Sequence, residues 1–398
     1  MALFDVFWLV LFVVLGLQLP NLFLGKKEKK YIPWLKKLII FHFILGFVFF
    51  LYTNNGGGDA YGYWQYGKLM TIDDLETVLF SEKGTRFMEA FNYFPSHVLD
   101  MSFFSNSMFF SFIGVIGVCC FFSIALTLIP YHSFFLGYLA FPLVFFAPNL
   151  HFWSSGIGKD TLLFTCIGLF GFSLLNIKRR IPLIIISLLL AFAIRPHVVL
   201  LLSVSFGLAY IFGGNVSGFK KIAFSVILFG VSAAILPTVM EFVKLENTSI
   251  ASISERGAEQ AKGLTVGSGS SIDISSYPFP MKVFTFLFRP LFFDVHNVLG
   301  AIVSIENLLL LILVYKSFKF RTLDTFRAAP FLIKGMLIFV ILGTVLFSQS
   351  LGNLGIMIRM RNMFLPGLLL YCLWALSYQT KFEFLRKKHL EKLQQESE

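Results

Sequence analysis

Charged residues are scarce in this chain of 398 residues, because Asp, Glu, Lys and Arg together make up only 14% of it. An average soluble domain has about 25%. Cysteine is also scarce, and the four cysteines all lie in apolar runs without the spacing of a metal or disulfide framework. The shortage of charge excludes a soluble enzyme and a disordered chain, and the shortage of cysteine excludes a secreted module held together by disulfides.

Apolar residues are abundant instead: they make up 57% of the chain, and 51 positions are Phe. They form long runs, and a helix needs about 20 apolar residues to cross the hydrocarbon core of a bilayer. The sequence therefore predicts an all-α, polytopic integral membrane bundle that forms one transmembrane domain over 1–398. About eleven transmembrane helices are expected, at 3–24, 37–53, 107–129, 133–150, 161–177, 181–194, 198–213, 222–240, 298–315, 330–348 and 362–379.

The net charge of +11 indicates how the chain is oriented in the membrane and does not indicate nucleic-acid binding. Lys and Arg concentrate in one alternate set of loops, and the positive-inside rule makes that set cytoplasmic. We therefore expect the N-terminus outside the cell membrane and the C-terminus inside, with a basic cytoplasmic tail over 380–398. The long loops 54–106 and 241–297 then lie on the outer face, and they hold most of the unusual polar groups.

The first polar motif is NNGGGDAYGYWQY at 54–66, directly after the second predicted span. Three glycines allow a tight turn and a close approach to a ligand. Asp59 is then a carboxylate at the membrane edge, and Tyr61 and Trp64 are aromatic rings suited to stack on a sugar. The alternative is an interfacial turn with an aromatic belt.

Two further motifs place charge at the outer face. Asp160 and Thr161 can begin a helix, whose N-terminal dipole favours an anion, and Lys159 adds a positive charge there; the alternative is a capped helix with a surface ion pair. Arg195 and His197 follow an apolar stretch of only about 14 residues, so Arg195 should lie below the headgroups. An Arg at that depth is a functional candidate, unless it extends upward to the interface.

Two more arginine motifs lie in the C-terminal half of the chain, in segments that we expect at the outer face. Arg289 and Asp294 sit among aromatic residues, as in a segment that re-enters the membrane or as in an interfacial helix with an ion pair. Arg359 and Arg361, in a loop, can both reach one anion; the alternative is ordinary flanking charge, which the outer face usually avoids.

These residues together suit a ligand that is part lipid and part sugar phosphate. Guanidinium groups bind phosphate through charge-assisted bidentate hydrogen bonds, and a carboxylate can take a proton from a sugar hydroxyl. We therefore predict a polyprenyl-linked sugar held by the cations, with Asp59 as catalytic base. His97, Asp160, His197 and Asp294 are the other candidate bases. No metal site or nucleotide cofactor is predicted, although one divalent ion at Asp59 is weakly signalled.

The chain also resembles a family. GDAYGY at 58–63 looks like the first outer loop of GT-C-type glycosyltransferases. FWSSGIGKD at 152–160, RPH at 195–197, FRP at 288–290 and RMR at 359–361 resemble multi-pass proteins of bacterial exopolysaccharide and O-antigen gene clusters. The resemblance implies that Asp59 occupies the acidic position and that the arginines hold the lipid phosphate. It further implies a glycan acceptor, other polysaccharide assembly proteins as partners, and a bacterial inner membrane location with the site facing the periplasm.

The chain departs from the GT-C pattern because it has no second acidic residue beside Asp59 and no large C-terminal soluble domain. This favours a transfer without metal, like that of a polysaccharide polymerase. Two other functions remain open at this point: a flippase or transporter of lipid-linked oligosaccharide, and a non-catalytic subunit of a polysaccharide assembly complex. The sugar, the linkage and the size of the transferred unit do not follow from the sequence.

Overall fold

The computed structural model describes residues 3–213, 218–243, 259, 271–274, 276–295 and 298–397, and they are helical almost throughout. The prediction of an all-α protein is therefore confirmed for this part of the chain. In chain order the helices are α1 (Leu3–Phe23), α2 (Ile32–Asn54), α3 (Ala60–Leu69), α4 (Ile72–Ser81), α5 (Thr85–Tyr93), α6 (Phe103–Leu128), α7 (Ala140–Leu143), α8 (Pro148–Phe152), α9 (Lys159–Leu174), α10 (Ile177–Ile194), α11 (Pro196–Phe212), α12 (Gly218–Val243), α13 (Phe279–Phe288), α14 (Val298–Lys319), α15 (Thr322–Ala328), α16 (Phe331–Ser350), α17 (Leu354–Arg361) and α18 (Leu365–Ser397).

Within the described residues, five helices are long and apolar enough to cross a membrane: α1, α2, α6, α14 and α16. A sixth span exists if α17 and α18, which meet at a bend of 61°, are one broken span. The predicted number of eleven spans is thus not reached by this criterion. Part of the shortfall has a physical cause, because α9 and α11 have 16 and 17 residues and rise only about 24–26 Å.

The predicted fourth span, 133–150, is wrong as a continuous helix. The segment contains a two-stranded antiparallel hairpin, β1 (Phe134–Phe135) and β2 (Tyr138–Leu139), followed by α7, a 3-10 helix and α8. Gly137 turns the hairpin with a positive φ of 86°, which glycine adopts readily. Pro142 and Pro148 then lack the N–H group that a continuous helix requires.

This broken segment nevertheless connects the two ends of the bundle. At its beginning, the side chain of His132 forms a hydrogen bond of 2.9 Å with the Tyr31 hydroxyl, next to the start of α2. Near its end, His151 meets His42, half-way along α2, at 2.8 Å. The chain then continues to the other end of α2, where α9 begins.

The predicted outer loop 54–106 is not a simple loop but contains α3, α4, α5 and a π-helical turn at Phe94–Val98. Helix α6 follows it and forms the centre of the bundle, since 72% of its apolar window is buried, against 17% for α1. Gly114 lets α6 approach its neighbours, because a Cβ atom there would overlap with the Ser154 carbonyl oxygen and crowd His42. The predicted outer loop 241–297 is described only in part, and His296 and Asn297 lie outside the described residues.

Candidate functional site

A cavity of about 270 Å³ lies at the C-terminal end of α2. Four parts of the chain line it: the end of α2, the glycine turn before α3, the turn before α9 and the first residues of α17. The lining residues are Phe49, Tyr52, Thr53, Gly57, Gly58, Asp59, Ala60, Tyr63, Trp153, Gly156, Ile157, Gly158, Asp160, Asn353, Gly355, Ile356 and Arg359. The glycine turn is shaped by Gly56 and Gly58, which have positive φ values of 87° and 71°.

Three helices point their N-termini at this cavity. Asp59 precedes α3, Gly158 precedes α9 and Asn353 precedes α17, and all three residues line it. At α3 and α9 no side chain caps the first N–H groups. Each helix N-terminus carries roughly half a positive charge, so the three together favour an anion in the cavity.

Asp160 is the buried centre of an ion network beside the cavity. Its Oδ2 accepts a hydrogen bond from Nε of Arg359, and its Oδ1 lies 3.4 Å from Nη2 of Arg195. The side chains of Asp160 and Arg195 are only 6% and 8% exposed. Because a buried charge is costly unless it is paired, each member of this network depends on the others. The network fixes Arg359 at the cavity wall.

Asp59 lies at the open rim of the cavity. Its side chain is 64% exposed, and its Oδ2 is 3.7 Å from Nη1 of Arg359, a distance too long for a hydrogen bond. The neighbour of Asp59 is thus a cation and not a second carboxylate. Among the described residues, no group of three or more His, Cys, Asp or Glu side chains is placed to hold a metal ion.

Aromatic rings form the other wall, but they are not those predicted. Trp153 and Tyr52 line the cavity with their rings 6.4 Å apart, and the guanidinium of Arg359 lies 5.9 Å from the Trp153 ring. Tyr61 and Trp64, the predicted sugar-stacking pair, do not line the cavity: their rings pack on each other and on Phe103. They stabilise the junction of α3 and α6.

Tyr63 of α3 lines the cavity together with Ala60, although Tyr61 and Trp64 were the predicted ligand-binding rings of this segment. Burial raises the pKa of Tyr63 to about 12, and the Asp59 carboxylate adds to the rise. The phenol is therefore neutral over the ordinary pH range. Lys159, which was predicted, lies behind it: its Nζ donates to Thr85 Oγ1 at 2.9 Å and is 5.9 Å from the Tyr63 ring centroid. Lys159 adds positive charge near the cavity without lining it.

Arg195 lies at the break between α10 and α11, where its backbone is extended. The predicted end of one span at 194 matches the end of α10 at Ile194, and the side chain of Arg195 points to Asp160 instead of extending to the interface. His197 packs between the rings of Phe242 and Phe347 and does not line the cavity. The candidate base His97 is also outside it: its Nδ1 meets the Lys68 carbonyl oxygen at 2.8 Å.

Arg289, Asp294 and Arg361 form a separate group outside the cavity. Arg289 pairs with Asp294 and donates to the Tyr277 hydroxyl at 3.3 Å. Arg361 is buried; it donates to the Leu287 carbonyl oxygen and to Asn307 Oδ1 at 2.7 Å. Because α17 is helical, residues two apart face different directions. The idea that Arg359 and Arg361 both reach one anion is therefore wrong.

Comparison of the chain with protein-family models, with curated proteins and with solved structures finds no match. The functional argument therefore rests on the geometry of the cavity. In that geometry, Arg359 and three helix N-termini place positive charge at the cavity, at one end of the bundle. The geometry also provides an exposed carboxylate and four aromatic side chains, Phe49, Tyr52, Tyr63 and Trp153, within the same cavity.

Proposed function

We propose that this protein is a membrane glycosyltransferase or polysaccharide polymerase that uses a polyprenyl-phosphate or polyprenyl-pyrophosphate sugar as donor. One observation carries the proposal: the cavity combines Arg359 and three helix N-termini with the exposed carboxylate of Asp59. The positive groups suit a phosphate, and the carboxylate suits a proton acceptor. The position at the end of a bundle of apolar helices suits a substrate whose remaining part is lipid.

In this proposal the phosphate nearest the sugar binds between Arg359 and the first N–H groups of α3 and α9. The sugar lies against Trp153 and Tyr52. A hydroxyl oxygen of the acceptor glycan attacks the anomeric carbon, and its proton passes to Asp59. The bond from the anomeric carbon to the phosphate oxygen breaks, and the phosphate leaves with the electron pair, its new negative charge stabilised by Arg359.

The volume of the cavity supports a small head group. At about 270 Å³ it is slightly below the roughly 300–1,000 Å³ typical of small-molecule pockets. A phosphate with its adjoining sugar is of suitable size, whereas a long oligosaccharide would extend beyond the rim. From the charge of the loops, we propose that the cavity lies on the extracytoplasmic face of a bacterial plasma membrane, with other polysaccharide assembly proteins as neighbours.

A transporter of lipid-linked oligosaccharide is a second candidate, favoured by one observation. Arg195 and the bend between α17 and α18 interrupt helices next to the cavity, and broken helices whose ends face an anion are typical of transporters. The exposed base at the rim favours the enzyme. Transfer to an acceptor from donor supplied at the outer face distinguishes the two, because a transporter gives none.

Binding of farnesyl pyrophosphate, a short isoprenyl pyrophosphate, to the purified full chain in nanodiscs tests the site. We expect Arg359→Ala to weaken binding about ten- to a hundredfold, the range that a charge-assisted hydrogen bond supports. Arg321→Ala is the control, because Arg321 pairs with Asp324 at a distance from the cavity. Equal affinity of wild type and Arg359→Ala would refute the proposed function.

A further inference from the structure

Arg359 has two carboxylate partners that differ sharply in their surroundings. Asp160 is 6% exposed and hydrogen-bonded to Nε of Arg359. Asp59 is 64% exposed, lies 3.7 Å from Nη1 and makes no hydrogen bond at that distance. An exposed ion pair contributes little, whereas a buried one is held by the cost of leaving a charge unpaired. Asp59 is therefore the partner that another anion can replace.

The Asp59–Arg359 pair lies where a ligand in the cavity would bind. Asp59 and Arg359 both line the cavity, so a phosphate that binds Arg359 from the cavity side takes the place in which Asp59 now lies. A planar guanidinium offers five N–H donors, and Asp160 engages the Nε side. The remaining donors can hold a phosphate without disturbing the buried pair.

We propose that the donor phosphate displaces Asp59 from Arg359, and that this exchange frees the Asp59 carboxylate to accept the proton of the acceptor hydroxyl. This inference rests on the proposed function. Away from Arg359, the oxygens of the Asp59 carboxylate are open to a hydrogen bond from the acceptor hydroxyl and then to its proton. The base is thus active only when donor is bound.

The exchange makes binding and transfer respond in opposite directions to one substitution. Asp59→Asn removes the competing charge, so farnesyl pyrophosphate should bind about two- to fivefold more tightly, in line with the small contribution of an exposed pair. Transfer should be lost in the same variant, because no proton acceptor remains. Asp100→Asn is the matched control: this exposed Asp pairs with Lys68 and does not line the cavity.

A double-mutant cycle tests whether the effect passes through Arg359. In the Arg359→Ala background, Asp59→Asn should no longer improve binding, because the two groups no longer compete for one cation. Unchanged or weaker binding by Asp59→Asn would overturn the inference, as would a gain that persists without Arg359. The proposed function fails by a different result, namely wild-type binding by Arg359→Ala alone, so the two failures are distinguishable.

Discussion

Loss of the Asp160 charge should destabilise the whole bundle and not only the cavity. Asp160→Asn leaves Arg195, which is 8% exposed, next to Arg359 without a compensating carboxylate. Breaking a buried ion pair costs about 3–5 kcal/mol. Arg359 is 23% exposed and still has Asp59 nearby. Solvent and Asp59 therefore reduce the part of the destabilisation that comes from leaving Arg359 without Asp160. We therefore expect a loss of about 3 kcal/mol, near the lower end of that range.

The assay is unfolding of the purified protein in mixed micelles, with Asp100→Asn as the exposed control that should change little. Adding Arg195→Gln to Asp160→Asn should recover part of the loss, because it removes the unpaired cation as well. A free energy of unfolding for Asp160→Asn within about 1 kcal/mol of wild type would refute the reasoning. So would a double variant that is no more stable than Asp160→Asn alone.

Three further predictions concern the cavity wall. Gly156→Ala should lower the free energy of unfolding by about 1–3 kcal/mol, because its Cβ would overlap with the Phe49 ring; an unchanged unfolding midpoint would contradict this. Tyr63 binds its proton more tightly when folded, with a pKa of about 12 against an ordinary 10.0, so between these pH values the unfolded state holds fewer protons and stability falls as pH rises. Tyr63→Phe should remove that fall, which pH-dependent unfolding measures. Trp153→Ala should reduce transfer about two- to tenfold while leaving farnesyl pyrophosphate affinity nearly unchanged, and an equal loss in both would place the ring at the phosphate instead of the sugar.

The sequence could identify the cations around the site because charge is rare in an apolar chain. Arg195, Arg359 and Asp160 each interrupt or flank an apolar run, and the structure brings all three together. Arg289 and Arg361 carry the same signal but have partners of their own, Asp294 and Asn307. A rare charged residue in an apolar sequence indicates a buried polar contact. Which residue is its partner depends on how the helices pack, and the sequence pattern does not show that.

The fold shows the same limit. Apolar composition predicts helices reliably. It led to too many continuous transmembrane helices, because composition does not show where prolines and a glycine turn break the segment 133–150. The three converging helix N-termini were largely missed for a related reason. Only the start of α9 was predicted from the sequence as a helix N-terminus that favours an anion. That three N-termini meet at one cavity depends on how the helices assemble.

In the proposed reaction, the cavity carries out glycosyl transfer from a lipid-linked donor with Asp59 as base. The most direct test is extraction of lipid-linked glycans and surface polymer from cells carrying wild type, Asp59→Asn or Asp100→Asn at equal membrane abundance. We expect that only Asp59→Asn loses long polymer and accumulates the lipid-linked precursor. Normal polymer in cells with Asp59→Asn at normal abundance would contradict it.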